Sequence, residues 1–120
     1  MNNFFRFDDV PAIEIEWGAT LRPIADPEQV GASALMNCGV MAFYQYGGHG
    51  RHIHEPERAH KIEMMYCLSG EGVHIFWDEN NVPTPYHIRK GDLICCVRGM
   101  PHCTTNYNEE PFECLIINAG

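Results

Sequence analysis

The stretch IEMMYCLSGEGVHIFWD, residues 62–78, contains two runs of apolar, aromatic and β-branched residues on either side of the turn segment SGEG. Side chains two positions apart in a strand point the same way. Glu63 is therefore predicted to share a face with Met65 and Cys67, and Tyr66 to point to the opposite face. A carboxylate buried among Met and Cys side chains is costly unless a cation accepts it. The stretch predicts two strands and one candidate ligand, Glu63.

The same pattern continues outward in both directions, because short β-rich runs broken by Gly, Pro, Asn and Asp recur roughly every ten residues. Such spacing is typical of an antiparallel sandwich or barrel, so the chain is predicted to be all-β. One short helical turn is expected in ADPEQVGA, with Asp26 as its cap and Pro27 at its first position. The candidate strands are residues 12–17, 20–24, 34–45, 52–54, 62–70, 72–78, 84–90, 93–99, 102–107 and 112–118.

The chain has 120 residues, enough for one domain with a real core. We expect residues 1–33 to form an N-terminal arm and strands that pack on a barrel formed by residues 34–120. The net charge of -8 argues against nucleic acid and anionic membranes as partners, since both attract excess Lys and Arg. No apolar run reaches the roughly 18 residues of a membrane span, and the N-terminus does not resemble a secretion signal, so a cytoplasmic location is expected.

The six cysteines include no CxxC pair, and most lie in apolar runs such as DLICCVRG. They are interpreted as small buried thiols in a reducing compartment, with disulfides as the alternative. Consecutive Cys95 and Cys96 must face opposite sides of a strand. His74 and His87 lie in strands outside the segments that carry His52, His54 and His102, and they are interpreted as structural or surface residues.

Three further histidines form a pattern that suits a metal. His52 and His54 in RHIH would project from one face of a strand, and His102 follows a proline at the start of another. Together with Glu63 they make a mixed nitrogen and oxygen ligand set. Such a set suits Fe, Mn, Co, Ni, Cu or Zn better than Ca or Mg. Whether the metal is structural, in a closed zinc tetrahedron, or has open positions for chemistry is left open.

These residues resemble the two motifs of the cupin superfamily, G(X)5HXH(X)3,4E(X)6G and G(X)5PXG(X)2H(X)3N. The resemblance covers about residues 34–118 and implies a cupin-type double-stranded β-helix, or jelly-roll barrel, with a 3-His-1-Glu metal site. The first motif is matched, with one residue fewer after Gly47, by His52, His54, Glu63 and Gly70. The second is matched by Gly91, Val97 in place of Pro, Gly99, His102 and Asn106.

The spacer EPERAHKI between His54 and Glu63 is about twice as long as the motif requires. It predicts a loop over the pocket and admits Glu55, Glu57 or His60 as rival ligands or as a general base. Glu63 is favoured as the ligand because its distance to Gly70 keeps the motif's register. Tyr66 is a further candidate base, although its parity points it away from the metal.

The resemblance implies one divalent transition metal per chain, with iron favoured, and a small anionic or enolisable substrate. The favoured hypothesis is an enzyme with dioxygenase or oxidoreductase chemistry, with dioxygen as co-substrate. The alternatives are an isomerase, cyclase or lyase that uses the metal as a Lewis acid, and a non-catalytic cupin that binds a metabolite or sugar. The segment YCLSGEG is locally similar to ectoine synthases, but the rest of the chain does not extend that similarity. A homodimer is expected, with FFRF and AIEIEW as candidate contacts.

Overall fold

The computed structural model describes residues 4–25, 35–53, 62–97 and 99–120. Within these ranges the chain is almost entirely strand, and its one helical segment is a short 3₁₀ turn at Phe7–Asp9. The predicted all-β class is therefore confirmed. The predicted helical turn at residues 25–32 begins on Ala25, which is instead the last residue of a strand, and otherwise lies outside the described residues. The strands are β1 (Ile13–Ile15), β2 (Ala19–Ala25), β3 (Leu35–Phe43), β4 (Gly48–His52), β5 (Ile62–Ser69), β6 (Glu71–Trp77), β7 (Pro83–Arg89), β8 (Leu93–Val97), β9 (His102–Thr105) and β10 (Phe112–Ala119).

The strands form two antiparallel sheets with many crossovers between them. The six-stranded sheet has the order β1-β2-β3-β10-β5-β8, and the four-stranded sheet has the order β4-β9-β6-β7. Neighbours in the sheets are mostly distant in sequence, and successive strands such as β5 and β6 belong to different sheets. This connectivity is that of the predicted jelly roll, in which the inner faces of two sheets enclose one core.

The core follows from strict alternation of buried and half-buried side chains. In β10 the inward positions include Phe112, Cys114 and Ile116, and all three are at least 95% buried. Phe112 stacks on Phe43 of the neighbouring strand β3, with ring centroids 5.9 Å apart. Burying an aromatic side chain of this size contributes about 1.5–3 kcal/mol. Phe112 also packs against Gly72 of the four-stranded sheet, where a Cβ would lie 2.4 Å from the Phe112 ring, so this inner-face residue contacts both sheets.

Gly70 marks the point where the chain passes from one sheet to the other. Its φ of 75° lies in the left-handed region, and a Cβ at this position would be 2.2 Å from the carbonyl oxygen of Pro111. Only glycine satisfies both conditions. The turn chemistry of SGEG therefore sets the register of β5, including the inward face that carries Glu63.

The cysteines follow the prediction in part, because three of the six, Cys67, Cys96 and Cys114, are buried. All six are free thiols, and consecutive Cys95 and Cys96 are exposed and buried respectively. The parity predicted for β5 is also observed, because Met65 and Cys67 are buried whereas Tyr66 is exposed.

The strand predicted at residues 52–54 begins earlier and ends at His52. β4 pairs antiparallel with β9, and His52 lies opposite His102, the first residue of β9. Pro101 precedes His102 and has no backbone N–H with which β9 could continue its hydrogen bonding to β4. The glycine-rich segment before His52 pairs instead, because Gly48 approaches the Thr104 carbonyl so closely that a Cβ would lie 1.9 Å from its oxygen. The strand propensity of the glycine-rich residues 48–50 is low, so the sequence did not predict that β4 begins at Gly48.

The first strands of the chain extend the six-stranded sheet. β1 pairs with β2, which pairs with β3. Arg22 of β2 stacks on the Phe7 ring at 4.3 Å and donates hydrogen bonds to the Phe7 and Val10 carbonyls, so this arginine holds the N-terminal segment in place. The boundary proposed between residues 33 and 34 lies outside the part of the chain that the structure describes. Among the described residues no helix is long and apolar enough to cross a bilayer.

Candidate metal centre

A small cavity of about 20 Å³ lies between the two sheets. A volume of this size holds about one water molecule or one ion. Three of the residues predicted as metal ligands line it together with apolar side chains from the six-stranded sheet. The lining residues are Met41, Phe43, His52, Glu63, Met65, His102, Thr104 and Ile116.

The two histidines are held in the same tautomer by backbone carbonyls. His52 Nδ1 lies 2.7 Å from the Gly50 oxygen, and His102 Nδ1 lies 2.9 Å from the Met100 oxygen. Because a carbonyl oxygen only accepts, each Nδ1 donates its proton, and in the neutral ring the lone pair is then on Nε2. The two rings meet with their centroids 4.3 Å apart. Metal-binding histidines are oriented in this way, since the nitrogen that does not bind metal donates to a backbone or carboxylate oxygen.

Glu63 faces these rings from the other sheet. Its Oε1 lies 3.9 Å from His102 Nε2, and the Glu63 and His102 side chains are only 15% and 2% exposed. This distance is longer than a normal hydrogen bond and shorter than twice the ~2.1 Å bond between a transition metal and a nitrogen or oxygen ligand. The residues therefore fit a divalent cation placed between them, which would also offset the cost of burying the carboxylate.

Cys96 is a member of this cluster that the motifs do not include. Its strand β8 pairs with β5, and Cys96 lies directly opposite Glu63. The possible ligand atoms of Glu63, Cys96 and His102 all lie within 4.8 Å of one another. Burial first, and the Glu63 carboxylate second, raise the pKa of the Cys96 thiol well above its usual range. The sulfur is therefore protonated at neutral pH in the metal-free protein.

His74 is a buried residue, in agreement with its interpretation as structural, and it also packs against the candidate metal centre, which the sequence did not predict. Its side chain is fully buried, and its ring stacks on His102 at a centroid distance of 5.5 Å. Nδ1 lies 2.7 Å from the Thr104 hydroxyl and Nε2 lies 3.6 Å from the Cys96 sulfur. Burial lowers the pKa of His74 to about 4, the neighbouring His102 and His52 add to this effect, and the Glu63 carboxylate opposes it, so the His74 ring is neutral at pH 7. The inward parity of β6 is the one sequence signal that could have found it.

The remaining predicted residues are not brought into this cavity by the described structure. His54, Glu55, Glu57 and His60 lie outside the described residues. Tyr66 is 43% exposed on the outer face of β5, because it has the opposite parity to Glu63. His87 is exposed and lies 3.3 Å from Glu71, as expected of a surface residue.

Asn106, the last residue of the second motif, has a structural role. Its side chain is fully buried, and Nδ2 donates to the carbonyl oxygens of Phe43 and Glu110 at 3.0 and 2.9 Å. Its Oδ1 accepts a hydrogen bond from the Asn108 backbone at 2.8 Å. These three bonds hold the loop after β9 against the end of β3.

Arg51, next to His52 in the chain, lies outside the cavity. Its guanidinium stacks on the Trp77 ring at 4.7 Å and donates to the Asn81 side chain. A larger open groove of about 810 Å³ runs beside this contact and is bordered by Met100 and Pro101, just before His102. The groove is therefore lined by the residues directly before two of the candidate ligands: Arg51 precedes His52, and Pro101 precedes His102.

Comparison with known structures agrees with this architecture. A predicted oxalate decarboxylase from Thermotoga maritima has a TM-score of 0.79 and 20% identity over 97% of both chains. CENP-C of Drosophila melanogaster, solved bound to CAL1, has a TM-score of 0.76 and 16% identity over 96% of this chain and 85% of its own. The Bacillus subtilis oxalate decarboxylase, studied for its Mn(II) centres, has a TM-score of 0.75 and 21% identity; this chain is covered completely but spans only 30% of that one.

These neighbours share the fold, although at such identities they do not transfer an activity. No curated protein sequence matches the chain. The sequence-family model described as the cupin domain matches residues 40–118 of this chain. This range includes β4, β5 and β9 with His52, Glu63 and His102. The jelly-roll topology and this match lead to one conclusion: the chain belongs to the cupin family.

Proposed function

We propose that this cupin binds one divalent transition metal through His52, His54, Glu63 and His102 and is an enzyme acting on a small anionic or enolisable metabolite. One observation carries the proposal: two imidazoles with Nδ1 bound to carbonyls converge with a buried carboxylate on a cavity of ion size. His54 is included from the motif alone. Glu55, Glu57 and His60 stay alternatives for a ligand or a base.

The reaction proposed first is of the oxidoreductase type, with iron as the metal and dioxygen as co-substrate. Around the cavity, the described residues other than the ligands are apolar except for the Thr104 hydroxyl, which is hydrogen-bonded to His74. This lining supplies no general base beyond the ligands themselves. A bound iron would supply Lewis acidity and reactivity toward dioxygen. The protein's own residues would orient the substrate and exclude water.

The charge of the site supports an anionic substrate. A divalent cation with one carboxylate and neutral histidines has a formal charge of about +1 in an otherwise acidic protein. A carboxylate or enolate would therefore be attracted to the metal rather than to the surrounding surface. Arg51 at the wall of the adjacent groove offers a guanidinium for a second anionic group, because its position is set by Trp77 and Asn81.

A lyase is the second candidate, and the fold similarity to oxalate decarboxylases favours it. Decarboxylation of a small dicarboxylate, like isomerase or cyclase chemistry, needs the same metal as a Lewis acid and the same positive site. A cupin that binds a ligand without turning it over is the third, and the similarity to CENP-C is compatible with it.

We also propose that the chain forms a homodimer. Tyr66, Leu93 and Val97 lie on the outer face of β5 and β8 and are 43%, 54% and 48% exposed. Within the described chain β8 is the last strand of its sheet, so this apolar face continues to a sheet edge. If the same face of a second copy packed against it, the exposed apolar side chains and the free edge of β8 would both be covered.

The metal content of untagged protein tests the first step. We expect about one transition metal per chain in the wild type, and a strong loss in His52→Ala but not in the matched surface variant His87→Ala. Equal metal content in the two variants would contradict the site.

Products then separate the reaction classes. Oxygen uptake by the iron form with small keto acids or 1,3-diketones supports the oxidoreductase, whereas carbon dioxide release from dicarboxylates without oxygen uptake supports the lyase. Tight binding of such compounds with neither signal would identify a binding protein. His87→Ala is expected to behave as the wild type in each assay.

A further inference from the structure

We propose that Cys96 is an additional, sulfur ligand of the metal centre and that it shifts the site toward thiophilic cations. This inference rests on the proposed metal site and specifies the class of metal that it takes. The cupin motifs do not include Cys96. The proposal starts from the observation that the side chains of Glu63, Cys96 and His102 lie close enough together to bind one ion.

The strand register places the sulfur at the cavity. Cys96 is the β8 residue directly opposite Glu63 of β5, and both have inward parity. Its side chain is fully buried, and its sulfur lies within 4.8 Å of the ligand atoms of Glu63 and His102. A sulfur and a nitrogen on opposite sides of one ion are about 4.4 Å apart at the bond lengths of zinc. The observed separations are therefore close to those of ligand atoms that share one cation.

His74 holds the sulfur in this position. Its Nε2 is 3.6 Å from the Cys96 sulfur, and its Nδ1 is 2.7 Å from the Thr104 hydroxyl. A hydroxyl both donates and accepts, so Thr104 is compatible with either tautomer of the ring. With the thiol, Nε2 accepts the S–H hydrogen bond; with a metal-bound thiolate, Thr104 donates to Nδ1 and Nε2–H donates to the sulfur. His74 is thus a positioning residue that can hydrogen-bond to the Cys96 sulfur both as a thiol and as a metal-bound thiolate.

Binding of Cys96 to the metal exchanges a proton for the cation. The S–H bond breaks, the proton leaves to solvent, and the sulfur's electron pair forms the bond to the cation. The sulfur takes one of the two positions that four ligands leave on an octahedral ion, and as a thiolate it lowers the formal charge of the site from about +1 to zero. An anionic substrate therefore binds most strongly when it displaces the sulfur, which takes up a proton again. Thiolate ligands favour zinc, copper, cadmium and similar ions over manganese.

Cobalt(II) provides a direct test because thiolate ligation gives a near-ultraviolet charge-transfer band, whereas nitrogen and oxygen ligands give only the weaker visible bands. We expect metal-stripped, reduced protein to show this band on addition of cobalt(II). Cys96→Ser should lose the band while still binding cobalt. Cys95→Ser is the matched control, since Cys95 is adjacent in the chain but exposed on the outer face, and it should keep the band. The ratio of cadmium to manganese affinity should fall roughly tenfold or more in Cys96→Ser only.

The outcomes separate this inference from the proposed function. Bound cobalt without a charge-transfer band in the wild type, or a band that persists in Cys96→Ser, would overturn sulfur ligation and leave the metal site intact. Failure of the wild type to bind any cobalt would overturn both. If Cys96→Ser does not fold, ¹¹³Cd NMR of the wild type decides, because a cadmium shift in the nitrogen and oxygen range refutes a sulfur ligand and a downfield shift supports it.

Discussion

The two faces of the strand pair β5 and β8 differ at both ends of the polarity scale. On the inner face, Glu63 lies opposite Cys96 beside the histidine rings. On the outer face, Tyr66 lies opposite Leu93, and both are exposed. A buried carboxylate requires a cation or hydrogen-bond donors, and an exposed apolar face gains by being covered. The same two strands therefore carry the proposed metal site on one face and the proposed dimer contact on the other.

The largest expected effect comes from removing an inner-face ligand. His102→Ala should weaken metal binding roughly 1000-fold, about 4 kcal/mol, because it removes an oriented imidazole from the buried site. Calorimetric titration of the metal-stripped protein with zinc or manganese measures the change. Tyr66→Ala on the outer face is the control and should bind metal as the wild type does. Similar affinities for His102→Ala and the wild type would show that the inner face is not a metal site.

The buried histidine of the inner face should make the metal-free protein sensitive to acid. His74 has a pKa of about 4 in the folded protein, lowered chiefly by burial, against about 6.5 in the unfolded chain. Between these values the unfolded state binds more protons, so stability falls as the pH decreases from 6.5 to 4, by up to about 3 kcal/mol from this residue.

Urea unfolding of metal-stripped protein at several pH values measures this loss. His74→Gln should reduce the slope of stability against pH, whereas exposed His87→Gln on the neighbouring strand should not. Equal slopes in the wild type and His74→Gln would contradict a depressed pKa for this group.

Neutralising the inner carboxylate should affect stability much more with metal than without it. In the metal-free protein Glu63→Gln removes both the cost of burying a charge and the attraction to His102 at 3.9 Å, so its stability should change by less than about 1 kcal/mol. The variant should lose most of the stabilisation that metal gives the wild type, about 2.7 kcal/mol at a metal concentration 100 times Kd. Thermal unfolding with and without metal measures both. The neighbouring outward residue offers the control Met64→Leu, which should retain the response to metal.

The smallest effect on the stability of the protomer is expected on the outer face. Tyr66→Glu combined with Leu93→Lys should change it by only about 0.5 kcal/mol, since both side chains are exposed. The same pair should convert a dimer to a monomer, which light scattering would detect as half the mass. A wild-type mass near 13.7 kDa would refute the dimer.

Local patterns predicted most of the strands and their parity. Alternation in β5 predicted that Glu63 faces inward and Tyr66 outward, which the structure shows. These features depend on two-residue periodicity and on turns such as Gly70, which are properties of neighbouring residues. The candidate ligands His52 and His102 came also from the resemblance to the cupin motifs, and the strand that carries His52 was predicted with other bounds.

The pairing of distant strands could only be decided by the tertiary structure. It ended β4 at His52, because β9 begins opposite that residue, and it placed Cys96 across from Glu63 and His74 against His102. Register between strands that are distant in the sequence is set by packing of the whole barrel, which no local pattern encodes. The chain by itself therefore determined which side chains face inward, and the fold determined which of them meet.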